Sequence, residues 1–140
     1  MRILAIDYGK KRCGLAVTDP LKIIATHLDT VSRVDLVSYL KTYIAREEVE
    51  GFVIGKPINL QNELNEIYQD IIQFKNELTH LFPDKYIEEI DERFTSKLAT
   101  QSILQSGVNK KKRQDKSLVD MVSAVIILQN YLDLKSNIIN

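Results

Sequence analysis

Arg2-Ile3-Leu4-Ala5-Ile6-Asp7-Tyr8-Gly9 is the stretch of sequence that decides the fold. Its apolar residues run almost without interruption, which is typical of a strand buried on both faces, and Tyr8-Gly9 is a turn signal. A second apolar run, Cys13 to Thr18, follows after a few residues, so the two strands should form a hairpin that turns at Gly9 to Arg12. Asp7 therefore ends a central strand at a position where burial is expected.

Further strands and helices follow in an alternating order. Their predicted ranges are strand 23–31, helix 36–48 after the Ser32 to Asp35 capping box, strand 51–55, a long helix from Leu60 that Phe82-Pro83-Asp84 terminates, strand 86–90, helix 96–105, loop 109–116 and helix 117–134. This order predicts an α/β fold with a five-stranded mixed sheet, in which three antiparallel strands precede right-handed crossovers and helices cover both faces. The first strand should lie near the centre of the sheet.

The final helix is apolar nearly all round, which predicts a buried helix. One predicted side carries Leu118, Met121, Val122, Val125, Leu128 and Leu132, and the other carries Ala124 and Ile127.

Composition excludes several classes of protein. The 140 residues, 44% hydrophobic and 27% charged, fit one globular domain over 1–140. Nineteen basic and nineteen acidic residues give no net charge, so attraction to nucleic acid must come from local patches. No apolar stretch approaches the ~20 residues of a membrane span, and a lone cysteine suits a reducing compartment. We expect a cytoplasmic protein that does not bind membranes.

Three acidic signals stand where the surrounding pattern predicts burial: Asp7, the pair Asp91-Glu92 at the end of the fifth strand, and Asp120 in the final helix. Burying ionised carboxylates costs several kcal/mol without compensation, so the three positions suggest one shared hard divalent cation. Strand alternation puts Asp91 and Glu92 on opposite faces, and the pattern alone does not decide which of them joins Asp7. Asp120 is placed in the first helical turn, where the macrodipole favours the ionised form. Paired Mg²⁺ or Mn²⁺ ions can activate water and stabilise the leaving oxygen in phosphodiester cleavage.

Each carboxylate also has a structural explanation. Asp7 before Gly9 fits an Asx turn, Asp120 completes a Ser-x-x-Asp capping box with Ser117, and Arg93 fits an ion pair with Asp91. The metal hypothesis therefore rests on the coincidence of all three positions.

Basic residues flank two of the acidic positions. Lys10, Lys11 and Arg12 follow Asp7, while Lys110, Lys111, Lys112 and Arg113 precede Asp120. Cations beside a metal site would hold phosphates on either side of the cleaved bond, although short charge runs are usually solvated loops. His27 and His80 lack metal-ligand spacing, and Cys13 fits a core thiol.

Together these motifs resemble the YqgF family, also called RuvX. The resemblance is carried by the stretch from Asp7 to Ala16, by Gly55-Lys56-Pro57, by Asp91 to Ser96, and by Lys116 with Asp120 and Ser123-Ala124. It spans nearly the whole chain, with one departure at Gln61-Asn62, where the family usually has glycine.

The resemblance implies a ribonuclease H-like fold related to the RuvC resolvase. It implies an endonuclease that resolves Holliday junctions or processes the 5′ end of pre-16S ribosomal RNA, with ribosomal precursor particles as further partners. It also implies Asp7, Glu92 and Asp120 as the catalytic, Mg²⁺- or Mn²⁺-binding set, so it favours Glu92 over Asp91. The expected nucleic-acid contacts are Lys10, Arg12, Lys56, Arg93, Lys110, Lys111, Lys112, Arg113 and Lys116. Resolving a symmetric junction would require two sites and hence a homodimer.

Two other classes of function compete with a nuclease. Asp-x-Gly before a glycine hairpin also resembles the first phosphate loop of actin-like ATPases and sugar kinases, but those enzymes need two lobes around the nucleotide. The other alternative is a ribosome-assembly or junction-binding module without catalysis, against which the retention of all three acids argues.

Overall fold

The fold is given by a computed structural model that describes residues 1–57, 66–91 and 116–139, with the side chains of the last helix described over 123–135. Strands β1 (Arg2–Asp7) and β2 (Arg12–Thr18) form the expected antiparallel hairpin, in which Asp7 lies opposite Gly14. Strand β3 (Ala25–Ser32) pairs antiparallel with β2. A 3-10 turn (Arg33–Asp35) then leads into helix α1 (Leu36–Arg46).

The second half of the sheet is parallel. Strand β4 (Val49–Lys56) pairs parallel with β1, and β5 (Tyr86–Asp91) pairs parallel with β4 after helix α2 (Tyr68–Leu81). The strand order is β3-β2-β1-β4-β5, so β1 is central as expected. Strands β1, β4 and β5 all end at one edge of the sheet, which we call the carboxyl edge; β3 runs in the same direction and also ends there.

Strand alternation divides the core into two clusters, one on each face of the sheet. Leu4, Ile6 and Tyr8 pack on the face covered by α1 and α2, where Leu40, Phe74 and Leu78 are buried. On the opposite face, β1 contributes Ile3 and Ala5, which pack against helix α3 (Lys116–Ile139). Small side chains at Ala5, Ala16 and Ala25 let this helix lie close to the sheet. The predicted mixed sheet with helices on both faces is confirmed.

Several predicted details are wrong. Helix α2 begins at Tyr68, directly after a turn at Glu66 and Ile67, while the predicted helical positions Leu60 and Leu64 lie outside the described residues. In α3, Ala124 and Ile127 were predicted to lie on the side opposite Leu128, yet all three residues pack against the sheet. The small side chain of Ala124 allows this side of the helix to approach the sheet closely. Predicted helix 96–105 and most of loop 109–116 lie outside the described residues. Among the described helices, none is long and apolar enough to cross a bilayer.

Candidate active site

Asp7 ends the central strand at the carboxyl edge. By alternation its side chain lies on the same face as Ile3 and Ala5, which is the face covered by α3. The residue directly opposite it in β2 is Gly14, which has no side chain. Asp7 is half-buried, which is less than the sequence pattern predicts, because it is the last residue of the strand.

Asp91 ends β5 at the same edge but lies on the opposite face. In this strand Glu88 pairs with Lys135 of α3 and Ile90 packs against the α3 cluster, whereas Glu89 contacts Tyr68 and Lys75 of α2. Alternation therefore places Asp91 with Glu89, on the α2 face. Asp91 is also exposed, so the expectation that it is buried is wrong.

Asp120 lies inside α3. The described helix begins at Lys116, so Asp120 is its fifth residue and lies beyond the first turn. The predicted placement of Asp120 in the first turn, and with it the macrodipole argument, is wrong. Ser117 is likewise a helical residue here, which removes the capping-box explanation of Asp120. Asp120 stands four residues, about one turn, before Ala124, which packs against the sheet.

The turn after Asp7 is basic and tightly built. Lys10 and Lys11 are exposed, and Arg12 is the half-buried first residue of β2. A Cβ atom at Gly9 would lie 2.3 Å from the carbonyl oxygen of Arg12, so the turn requires glycine at this position. The structure therefore confirms the predicted hairpin and places its cations at the carboxyl edge.

Lys56 ends β4 at the same edge, next to a polar cluster on the α2 face. Its Nζ lies 5.7 Å from the ring centroid of Tyr68, whose hydroxyl donates to both carboxylate oxygens of Glu89 at 3.0 and 3.1 Å. Lys75 donates to Glu89 at 2.7 Å. Burial acts to raise the pKa of Glu89, but the hydrogen bonds from Lys75 and Tyr68 outweigh it, and the net shift is downward.

Arg33 is a cation at this edge that sequence reasoning missed. Its backbone N–H donates to the carbonyl oxygen of Lys11 at 2.9 Å, which places it beside the basic turn. Its Nε donates to the hydroxyl of Tyr8, the residue after Asp7. In the sequence Arg33 belongs to a capping box, and only the pairing of β3 with β2 brings it to Lys11.

Glu92, Arg93 and the basic run from Lys110 to Arg113 lie outside the described residues, and Lys116 begins α3. Cys13 is fully buried, which confirms the predicted core thiol. His27 and His80 are exposed.

Two resolvases are among the solved structures that match this fold. Thermus thermophilus RuvC in complex with a Holliday junction substrate matches with a TM-score of 0.58 and 17% identity, covering 97% of each chain. The fowlpox virus resolvase in its Holliday junction complex matches with a TM-score of 0.55 and 13% identity, covering 96% of this chain and 99% of that chain. These likenesses define a ribonuclease H-like fold of the RuvC type, as expected.

Family and relatives are consistent with that fold. The family model RuvX, described as Holliday junction resolvase, matches residues 1–134, and the chain belongs to this family. A Porphyromonas gingivalis protein named "Putative pre-16S rRNA nuclease" is 54% identical over 132 residues, covering 94% of this chain and 96% of the relative. A protein of the same name from Phocaeicola vulgatus is 50% identical over 137 residues, covering 98% and 99%.

Proposed function

We propose that this protein is a metal-dependent endonuclease that hydrolyses phosphodiesters in structured nucleic acid. Its substrate is pre-16S rRNA, as the names of its relatives indicate, at the 5′ end that the sequence resemblance implies, or a four-way DNA junction, as the family description indicates. One observation carries the proposal: Asp7 ends the central strand of a RuvC-type sheet and lies at the carboxyl edge beside a basic turn. In open α/β sheets this edge is where functional groups gather.

Asp7, Glu92 and Asp120 are the proposed ligands of Mg²⁺ or Mn²⁺. Asp7 fits this role because it supplies a hard carboxylate oxygen, is half-buried, and has glycine as its neighbour in β2. The position of Asp91 on the opposite face supports Glu92 as the ligand from the end of β5. When bound, the cation would activate a water molecule and stabilise the charge that develops on the phosphate.

The basic residues of the chain would bind and orient the substrate. Lys10, Arg12 and Lys56 lie at the carboxyl edge, where they can contact phosphates around the cleaved bond. We propose Arg93, Lys116 and the run Lys110, Lys111, Lys112 and Arg113 as additional phosphate contacts. Phosphate contacts of this kind fix the register of the substrate without reading its sequence.

The two alternative functions, a nucleotide-binding lobe and a non-catalytic assembly module, can be distinguished from a nuclease. An actin-like or sugar-kinase lobe is disfavoured because the family match covers residues 1–134 and belongs to a resolvase family. A non-catalytic assembly module would bind the same nucleic acids and the same ribosomal precursor particles but would not cleave. Cleavage itself is therefore the deciding measurement. Symmetric cutting of a junction would also require a homodimer, which light scattering can detect.

The test compares Asp7→Asn with a matched control, Asp84→Asn. Asp84 precedes β5 at the opposite edge of the sheet and is 76% exposed, so the same chemical change there should leave activity unchanged. Both variants are assayed on a pre-16S RNA fragment and on a four-way DNA junction, with Mg²⁺ and with Mn²⁺. Asp7→Asn should lower the cleavage rate by at least about 10²-fold while binding changes less than threefold. Cleavage by Asp7→Asn at the parent rate would refute the proposed site.

A further inference from the structure

In the part of the chain that the structure describes, Arg33 is held at the carboxyl edge by a tyrosine and not by a carboxylate. Its Nε donates to the Tyr8 hydroxyl, and its Cζ lies 5.8 Å from the centroid of the same ring. Tyr8 is only 8% exposed, and its ring packs 5.1 Å from that of Phe74, so the anchor belongs to the core. Arg33 itself is exposed.

Among residues 1–57, 66–91 and 123–135, whose side chains are described, this neutral anchor is the direct partner of the guanidinium, and no carboxylate is bonded to it. Within the described residues Arg33 forms no ion pair; Asp70 of α2 is the acidic side chain that acts on it, and it does so at longer range. A free arginine side chain has several rotatable bonds, and part of this rotamer entropy is lost when it binds an anion. Tyr8 has already removed part of this freedom, while the terminal nitrogens of a guanidinium carry four further N–H donors.

The location of Arg33 connects it to the proposed active edge. Its backbone is hydrogen-bonded to Lys11 of the basic turn, and its anchor is the residue that follows Asp7. Tyr8 lies on the α1 and α2 face, whereas Asp7 lies on the α3 face. A nucleic-acid strand that reaches both Asp7 and Arg33 must therefore cross the carboxyl edge over the Gly9 to Arg12 turn.

We infer that Arg33 binds a backbone phosphate of the nucleic acid and that Tyr8 is the positioning residue that fixes its guanidinium. The inference rests on the proposed function, because it names a contact of that same substrate. It extends the predicted phosphate-binding surface from the basic turn to the end of β3.

The chain offers a closely matched control for this contact. Arg46, at the far end of α1, is also exposed, and its Cζ also lies 5.8 Å from the ring centroid of a buried tyrosine, Tyr43. It stands close to the start of β4 and hence at the opposite edge of the sheet. Arg33→Gln and Arg46→Gln thus make the same change in the same kind of pair, at opposite ends of the molecule.

The experiment measures the affinity of each variant for a four-way DNA junction and for a pre-16S RNA fragment by fluorescence anisotropy, over a range of salt concentrations. Arg33→Gln should weaken binding by about 5- to 10-fold at low salt, and the slope of log K against log salt should fall by about 0.7 to 0.9, which corresponds to one phosphate. Arg46→Gln should match the parent. Tyr8→Phe keeps the ring and the cation but removes the hydroxyl; it should weaken binding about 2- to 3-fold without changing the slope.

The outcomes separate this inference from the proposed function. If the parent binds both probes but cleaves neither, the proposed function fails, while a reduced slope in Arg33→Gln still supports the contact. If the parent cleaves and Arg33→Gln keeps the parent affinity and slope, the inference alone is refuted. Equal losses in Arg33→Gln and Arg46→Gln would also refute it, since they would show a general charge effect.

Discussion

Asp7 and Asp91 end parallel strands at the same edge of the sheet, yet they lie on opposite faces. The α3 face holds Asp7, and the α2 face holds Asp91 together with Glu89. Strand β4 separates the two strands, with Gly55 and Lys56 pairing to Ile90 and Asp91. Asp91 therefore lies on the face of the sheet away from Asp7.

The first prediction distinguishes the two acids of the Asp91-Glu92 pair. Asp91→Asn should keep cleavage within about threefold of the parent, because Asp91 lies on the face away from Asp7. Glu92→Gln should lose at least about 10²-fold, as expected for a lost metal ligand. Single-turnover cleavage of a four-way junction and of pre-16S RNA measures both rates. A larger loss in Asp91→Asn than in Glu92→Gln would reverse the assignment.

The second prediction concerns the basic run from Lys110 to Arg113. Replacing its four charged residues by glutamine should weaken nucleic-acid binding and lower the salt slope by up to about 3, if each contacts one phosphate. Lys41→Gln, an exposed change on the middle of α1, serves as the surface control and should leave the slope unchanged. Titration of both variants over a range of salt provides the slopes. If the quadruple variant kept the salt slope of the parent, these four residues would not contact the nucleic acid.

Much of the fold follows from local patterns in the sequence. The runs Ile3 to Ile6 and Phe52 to Ile54 are apolar enough to specify buried strands, and the short Gly9 to Arg12 turn specifies an antiparallel hairpin. Helix α3 is harder because it is apolar nearly all round. Its sheet-facing stripe depends on how closely Ala124 can approach Ala5 and Ala16, which is a tertiary property.

The site is predictable only in part, since it depends on contacts between distant segments. Motif order identifies Asp7, but the choice between Asp91 and Glu92 requires knowledge of which face of β5 meets α3. Arg33 carries no sequence signal as a binding residue. Its proposed role depends on the β2–β3 register, which pairs Arg12 with Ser32, and on the hydrogen bond to Tyr8, which follows β1 on the far side of β2.

The third prediction is a pH dependence of stability that originates at Glu89. Its pKa in the folded protein lies below the ordinary value of 4.5. The hydrogen bonds with Lys75 and Tyr68 therefore stabilise the fold above pH 4.5, and this stabilisation is lost as the pH falls through the folded pKa. Glu89→Gln should cost about 1–2 kcal/mol at pH 7 and much less at pH 3. Urea unfolding at both values measures this difference. Glu77→Gln, an exposed change on α2, is the control. An equal cost of Glu89→Gln at both pH values would contradict the prediction.

The fourth prediction concerns the contact between Gly51 and Tyr86, which pair across β4 and β5. A Cβ atom at Gly51 would lie 2.4 to 2.6 Å from three carbons of the Tyr86 ring, and the Tyr86 hydroxyl donates to Glu50 at 2.8 Å, which limits movement of the ring. Gly51→Ala should therefore destabilise the protein by about 1–3 kcal/mol through overpacking. In a Tyr86→Ala background the same change should cost nothing or add stability, because alanine is preferred over glycine in a strand once the ring is gone. In a Tyr86→Phe background the clash should persist. A double-mutant cycle in urea measures the coupling between the two positions. If Gly51→Ala cost the same in the parent, Tyr86→Ala and Tyr86→Phe backgrounds, the Tyr86 ring would not be the reason that glycine is required at position 51.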